Sequence, residues 1–109
     1  MIHIPNQKVL QNPASIIRLE GVDNYTNIYR LGEPVPFLAS QTLLYFQKQL
    51  PDFLRISKSS LVNPAFVLRV VKKGRATHLR LKDDTMLLVS RRRAADTLEA
   101  LNRLGQFMS

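Results

Sequence analysis

The sequence predicts a mainly β fold with two helical stretches, and three observations carry that expectation. Short runs rich in β-branched and aromatic residues recur along the chain, as strands require. Turn formers such as "GVDN", "KKGR" and "DD" separate them. Only two stretches instead place their apolar residues at the spacing of a helix face.

Each element follows in order. "IIRLEGV" (Ile16 to Val22) and "NYTNIYRL" (Asn24 to Leu31) form a hairpin across "GVDN". "GEPVPFLA" carries Pro34 and Pro36, which cannot donate to a ladder, so it is an edge strand at best. In "SQTLLYFQKQLPDF" the residues Leu43, Phe46, Gln47 and Leu50 share a helix face behind Ser40 or Thr42 as cap, and Pro51 stops it. "FVLRVV" reads as a strand buried on both faces or nearly so, and "KKGR" turns it into "ATHLRLK", with Leu79 and Leu81 alternating with polar residues. "DD" leads into "TMLLVS". Ser90 caps a closing helix with Ala94, Leu98 and Leu101 on one face and a stop at Gly105. The expected core includes Leu43, Leu50, Val62, Val70 and Leu98.

Composition narrows the function. At 109 residues, 45% hydrophobic and 22% charged, the chain is a single ordinary globular domain spanning residues 1–109. With no cysteine it has no disulfide framework and no thiolate chemistry. No apolar run approaches a membrane span and no signal peptide opens the chain, so the expected location is cytoplasmic with no membrane partner.

Catalytic constellations are missing. His3 and His78 have no partner at metal-ligand spacing, so no metal is expected. The four glycines sit at turn or cap positions and form no phosphate loop, and no cofactor is expected. "SKSS" (Ser57 to Ser60) lacks the third group that would orient a Ser–Lys pair. The protein is not read as an enzyme.

Charge carries the positive signal. The formal net charge is +8, and the pI near 10.5 exceeds the value of about 9 that suggests a nucleic-acid footprint. Residues 1–50 hold four basic and three acidic side chains, whereas residues 51–109 hold twelve and five. Lys58, Lys72, Lys73 and Arg75 punctuate turns, and Arg91, Arg92 and Arg93 open the last helix. A helix N-terminus is electropositive and disfavours cations, so the triplet calls for an external anion or is a solvated charge run. A DNA phosphate at Ser90 would offset both the dipole and the crowding. Two other classes share the composition: a basic protein-interaction module for an acidic partner, and an RNA-binding domain.

The ordered set "IIRLEGVDNYTNIY", "TLLYFQKQLP", "FLRISKSSLVNPAFVLRV" and "LRLKDDTMLLVSRRR" resembles the LytTR-type DNA-binding domain of bacterial transcription (response) regulators, over residues of about 14–104. Glu20, Asn24, Tyr25, Leu43, Leu50, Pro51, Arg55, Ser59, Val62, Asn63, Ser90 and Arg91 fall on that pattern. The resemblance implies an elongated, mainly β arrangement of about ten strands in small antiparallel sheets, with one or two short helices. It also implies double-stranded DNA as partner, read by strand-connecting loops in neighbouring major grooves. Thr26 or its neighbours, Lys58 and Arg92 are then the candidates for base contact. Asn24, Asn27, Ser57, Ser59, Lys72, Lys73, Arg75, Ser90, Arg91 and Arg93 are phosphate or supporting candidates. A homodimer on repeated half-sites and an upstream signalling protein or domain are further expectations.

The chain departs from the pattern at four places. Ser57 stands where the family often has His, Ser60 where an aromatic follows, and Thr26 where some members carry a basic or imidazole group. Asp83-Asp84 replaces an Asp-Gly turn, which raises the cost of any positive φ there.

Overall fold

The computed structural model describes residues 11–105. Among them are eight strands: β1 (Ile16–Val22), β2 (Tyr25–Arg30), β3 (Phe37–Ala39), β4 (Leu54–Ser57), β5 (Ser60–Val62), β6 (Val67–Lys73), β7 (Ala76–Leu81) and β8 (Met86–Val89). Helix α1 spans Leu43–Gln49 and α2 spans Arg91–Arg103. The strands form two antiparallel sheets, one ordered β3-β2-β1-β5-β4 and one ordered β6-β7-β8. The molecule is elongated, 41 × 24 × 24 Å.

Two cores lie on opposite faces of the larger sheet. On one face Ile16, Leu19, Ile28 and Leu61 pack against Leu43, Phe46 and Leu50 of the α1 segment. The spacing read from the sequence explains this helix: Leu43 and Phe46 are its buried pair, the Thr42 hydroxyl accepts from Tyr45 N, and Pro51 follows the C-cap Leu50. On the other face Ile17, Ile56 and Val62 meet Val67, Leu79, Leu81 and Val89 of the small sheet and Leu101 of α2.

One-residue register shifts direct side chains into these cores. In β1 the irregularity between Ile16 and Arg18 lets Ile16 and Leu19 enter the α1 core while Ile17 enters the other. In β6 a shift between Val67 and Arg69 places Val67 and Val70 on the core side. Leu68 is therefore 50% exposed, and the "FVLRVV" strand is not buried on both faces. It is the edge of an open three-stranded sheet, covered on one side only.

Two expectations for α2 are also revised. Leu98 is only half-buried, and Thr97, 3% exposed, lies beside Leu101 on the inner face. Ser90 occupies the N-cap position, but its hydroxyl makes no capping hydrogen bond. Its backbone N–H donates to the Ile56 carbonyl at 2.8 Å instead. Asn63, 6% exposed, joins the halves: its amide donates to Ile16 O at 2.9 Å and its carbonyl accepts from Ala65 N at 3.0 Å.

Candidate nucleic-acid interface

The β1–β2 turn and the β4–β5 turn sit side by side. Val22 pairs with Tyr25, leaving Asp23 and Asn24 as a two-residue turn with Asp23 at φ 55°. Ser57 pairs with Ser60, leaving Lys58 and Ser59 as the second turn, both exposed. Gly21 N donates to Ser59 O at 2.9 Å, so the Lys58 turn is fastened one residue before the first turn begins to leave the sheet. A Cβ at Gly21 would come within 3.3 Å of Leu43 Cβ, so glycine there lets α1 lie close to the sheet beneath both turns.

Arg55 organises the second turn. It pairs with Leu61, and its side chain leaves the sheet on the α1 face. Its guanidinium donates to Ser57 O at 2.8 Å, to Lys58 O at 2.6 Å and to Gln47 Oε1 of α1 at 2.6 Å. The Ser57 hydroxyl accepts from Ser59 N at 3.3 Å, which tightens the same turn. Burial, and then the like charge of Arg93, lowers the Arg55 pKa from its ordinary value. An arginine so lowered is still a cation at neutral pH.

The start of α2 is the third segment. The Ser90–Ile56 bond sets it beside β4, two residues ahead of Lys58. Successive helical residues turn by about 100°, so the three arginines diverge. Arg91 lines a cleft beneath the β6–β7 turn. Arg93, half-buried, lines a small hollow shared with Arg55, Asp96 and Arg103. Arg92 is exposed between them.

The cleft beside Arg91 is an open recess of about 700 Å³ that brings a fourth segment into the cationic surface. Lys72, Lys73 and Arg75, around Gly74 at φ 61°, line it together with Ser90 and Ala94. Four basic residues and Ser90, from two distant stretches of sequence, thus border one recess, alongside apolar residues such as Leu88 and Val89. Multiple cations and hydroxyls are the usual partners of nucleic-acid phosphates.

The first turn differs from expectation. Thr26 is 0% exposed and its hydroxyl donates to Gln41 O at 2.9 Å, so its side chain is committed to the fold. Asn24 and Tyr25, the latter 41% exposed, are the residues this turn presents. Asn27 is half-buried and donates to Glu20 Oε1 at 3.4 Å, an acceptor that Tyr29 also reaches at 3.3 Å. These pairs, with Arg18 stacked 3.8 Å over the Tyr29 ring, lie half-buried on the same face of the β1–β2 hairpin as Val62, the cross-strand partner of Arg18. Arg55 was legible as a residue of the family pattern but not as the organiser of a turn. The signal was a long, forked donor three residues ahead of Lys58, within reach of the turn's carbonyls.

Among the described residues no group of three His, Asp or Glu side chains is placed to hold a metal ion. No described helix is long and apolar enough to cross a membrane.

Basic turns and a basic helix start are carried here on paired antiparallel sheets. The chain belongs to the LytTr DNA-binding domain family, whose model matches residues 6–102. It is therefore a DNA-binding domain of the kind used in transcription regulation. The fold is similar to that of a solved LytTr DNA-binding domain from Bacillus cereus, described as part of a methyl-accepting/DNA response regulator. That match has a TM-score of 0.66 at 17% identity, over 81% of this chain and 82% of the other. No curated protein matches the chain.

Proposed function

We propose that the protein is a sequence-specific, double-stranded DNA-binding module of bacterial transcription regulation that reads major grooves with turns instead of a recognition helix. The observation that carries this reading is the fastening of three separate segments to one another: Gly21 N to Ser59 O, and Ser90 N to Ile56 O. These segments present Asn24 and Tyr25, Lys58 and Ser59, and Arg92 as exposed residues. Lys58 and Arg92 are exposed and have the chemistry to meet guanine O6 and N7. Lys72, Lys73, Arg75, Ser90, Arg91 and Arg93, with Ser57 and Ser59, take the phosphates. Thr26 is not among the base-reading residues in this proposal, because its side chain is buried.

The 41 Å long dimension exceeds the roughly 34 Å of one B-DNA turn, which suits contact with neighbouring grooves. A single small module buries only about 600–1,000 Å² on DNA, so two copies on adjacent half-sites would raise affinity. An upstream signalling protein or domain would supply the control, and the site of action is the cytoplasm. The test is a gel shift with duplex DNA, single-stranded RNA and an anionic polymer at two salt concentrations. Preference for one duplex sequence supports the proposal, and equal binding to all three polymers reduces the surface to charge alone.

A further inference from the structure

We propose that Arg55 is a positioning residue for sequence reading: with Gln47 it holds the Lys58 turn in its DNA-competent shape before DNA arrives. The inference rests on the reading above, in which Lys58 contacts a base. Three donors of one planar guanidinium are engaged at once, by Ser57 O at 2.8 Å, Lys58 O at 2.6 Å and Gln47 Oε1 at 2.6 Å. Two of those acceptors are the carbonyls on either side of the bend into the turn. The third belongs to α1, whose Leu43 and Phe46 are buried in the core. The turn is therefore tied to the rigid part of the molecule and not to its own strand alone.

The chemistry needs arginine. A lysine ammonium is a point charge on a flexible stem and cannot span three acceptors in a fixed fork. Arg55 also stands beside Arg93, and both burial and that like charge oppose it. A position that only filled space would be better served by an apolar side chain, so the cation is explained by the carbonyls it holds. Two flexible residues ordered in advance spare the complex the entropy of ordering them, and for a base-reading turn that gain falls on the cognate site. Random DNA, held by phosphates, gains little from the shape of one turn.

The experiment uses Arg55→Lys, Gln47→Ala and Gln47→Glu in the full chain. The probes are a duplex selected from a random-sequence pool by the wild-type protein and a scrambled duplex of equal length. Backbone order at Lys58 and Ser59 is read in the free protein by amide relaxation and hydrogen exchange. Arg55→Lys and Gln47→Ala are expected to mobilise both amides and to lower the cognate-to-scrambled affinity ratio by roughly 10-fold. The salt slope of Arg55→Lys stays at the wild-type value. Gln47→Glu, whose carboxylate still accepts from the guanidinium, keeps the turn ordered and the ratio intact. If Arg55→Lys fails to fold, Gln47→Ala decides alone, since it leaves Arg55 in place. Ordered turn amides or an unchanged ratio in Gln47→Ala would overturn the role of Arg55 while leaving DNA reading intact. A wild-type protein that selects no duplex would instead sink the reading itself, and the positioning role with it.

Discussion

The backbone N–H of Ser90 donates to the Ile56 carbonyl at 2.8 Å, and this bond sets the start of α2 against the strand that leads to Lys58. Two stretches separated by more than thirty residues of sequence thereby act as one surface. The arginine triplet can then be tested against the turn beside it.

Arg91, Arg92 and Arg93 are expected to fail differently, because their side chains diverge. Arg92→Ala should cost about 1–3 kcal/mol on a cognate duplex and relax preference at one base pair. Arg91→Ala or Arg93→Ala should weaken cognate and scrambled DNA alike and lower the salt slope by about one. Arg91→Ala and Arg92→Ala should leave the free protein as stable or slightly more so, since each removes a cation from a helix N-terminus and installs a strong helix former. Melting curves and binding titrations on the variants check all three; identical losses on every DNA would show a charge run without division of labour.

Salt provides a second check. If the basic surface neutralises about six to ten phosphates, affinity for duplex DNA should fall by roughly 10³ to 10⁵ between 50 and 200 mM salt. A flat response would remove the net charge of +8 from the account of binding.

Scaffold and contact should separate cleanly. Leu43→Ala or Leu50→Ala should cost about 2–5 kcal/mol of stability, because both side chains are 6% exposed in the α1 core. Leu98→Ala should cost less, since Leu98 is half-buried. Lys58→Ala should leave the denaturation midpoint unchanged and weaken DNA binding. A Lys58→Ala protein that unfolds would make the turn structural.

The β7–β8 turn offers a stability gain remote from the proposed DNA contacts. Asp84 sits at φ 72°, a left-handed conformation that costs a residue with a Cβ and costs glycine nothing. Its contact with Arg80 is long, 3.9 Å, and its side chain is 86% exposed, so that ion pair contributes little. Asp84→Gly should raise stability by up to about 1 kcal/mol, the relief of the left-handed strain outweighing the added freedom of the unfolded chain, with DNA affinity retained. Chemical denaturation checks it, and a loss of stability would mean that the carboxylate matters more than the backbone.

Much of this architecture was readable from patterning. Ile16–Val22 matches "IIRLEGV" at both ends, and Tyr25–Arg30 lies within the second expected strand. Pro34 and Pro36 correctly demoted the segment before Phe37, because β3 is the sheet edge. What patterning missed is what a register shift conceals. A bulge changes the side-chain period locally from two to three, so Val67 and Val70 face the core while Leu68 does not. The site was legible as a set of basic turns in chain order, but which turns meet was not. The Gly21–Ser59 and Ser90–Ile56 bonds are long-range backbone contacts, and no side-chain identity announces them. The burial of Thr26 was hidden for a related reason: its carbonyl partner Gln41 lies 15 residues away.

Strand β5 is only three residues long, yet Leu61 and Val62, both 0% exposed, enter different cores. Neither core can loosen at this strand without shifting a residue of the other. Thermal or denaturant unfolding should therefore proceed as one cooperative transition, with the amides of β1 and β5 among the last to exchange and the α1 side and small-sheet side melting at the same midpoint. Because β5 begins at Ser60, immediately after the Lys58–Ser59 turn, the proposed reading surface is anchored in the least dispensable element of the cooperative unit.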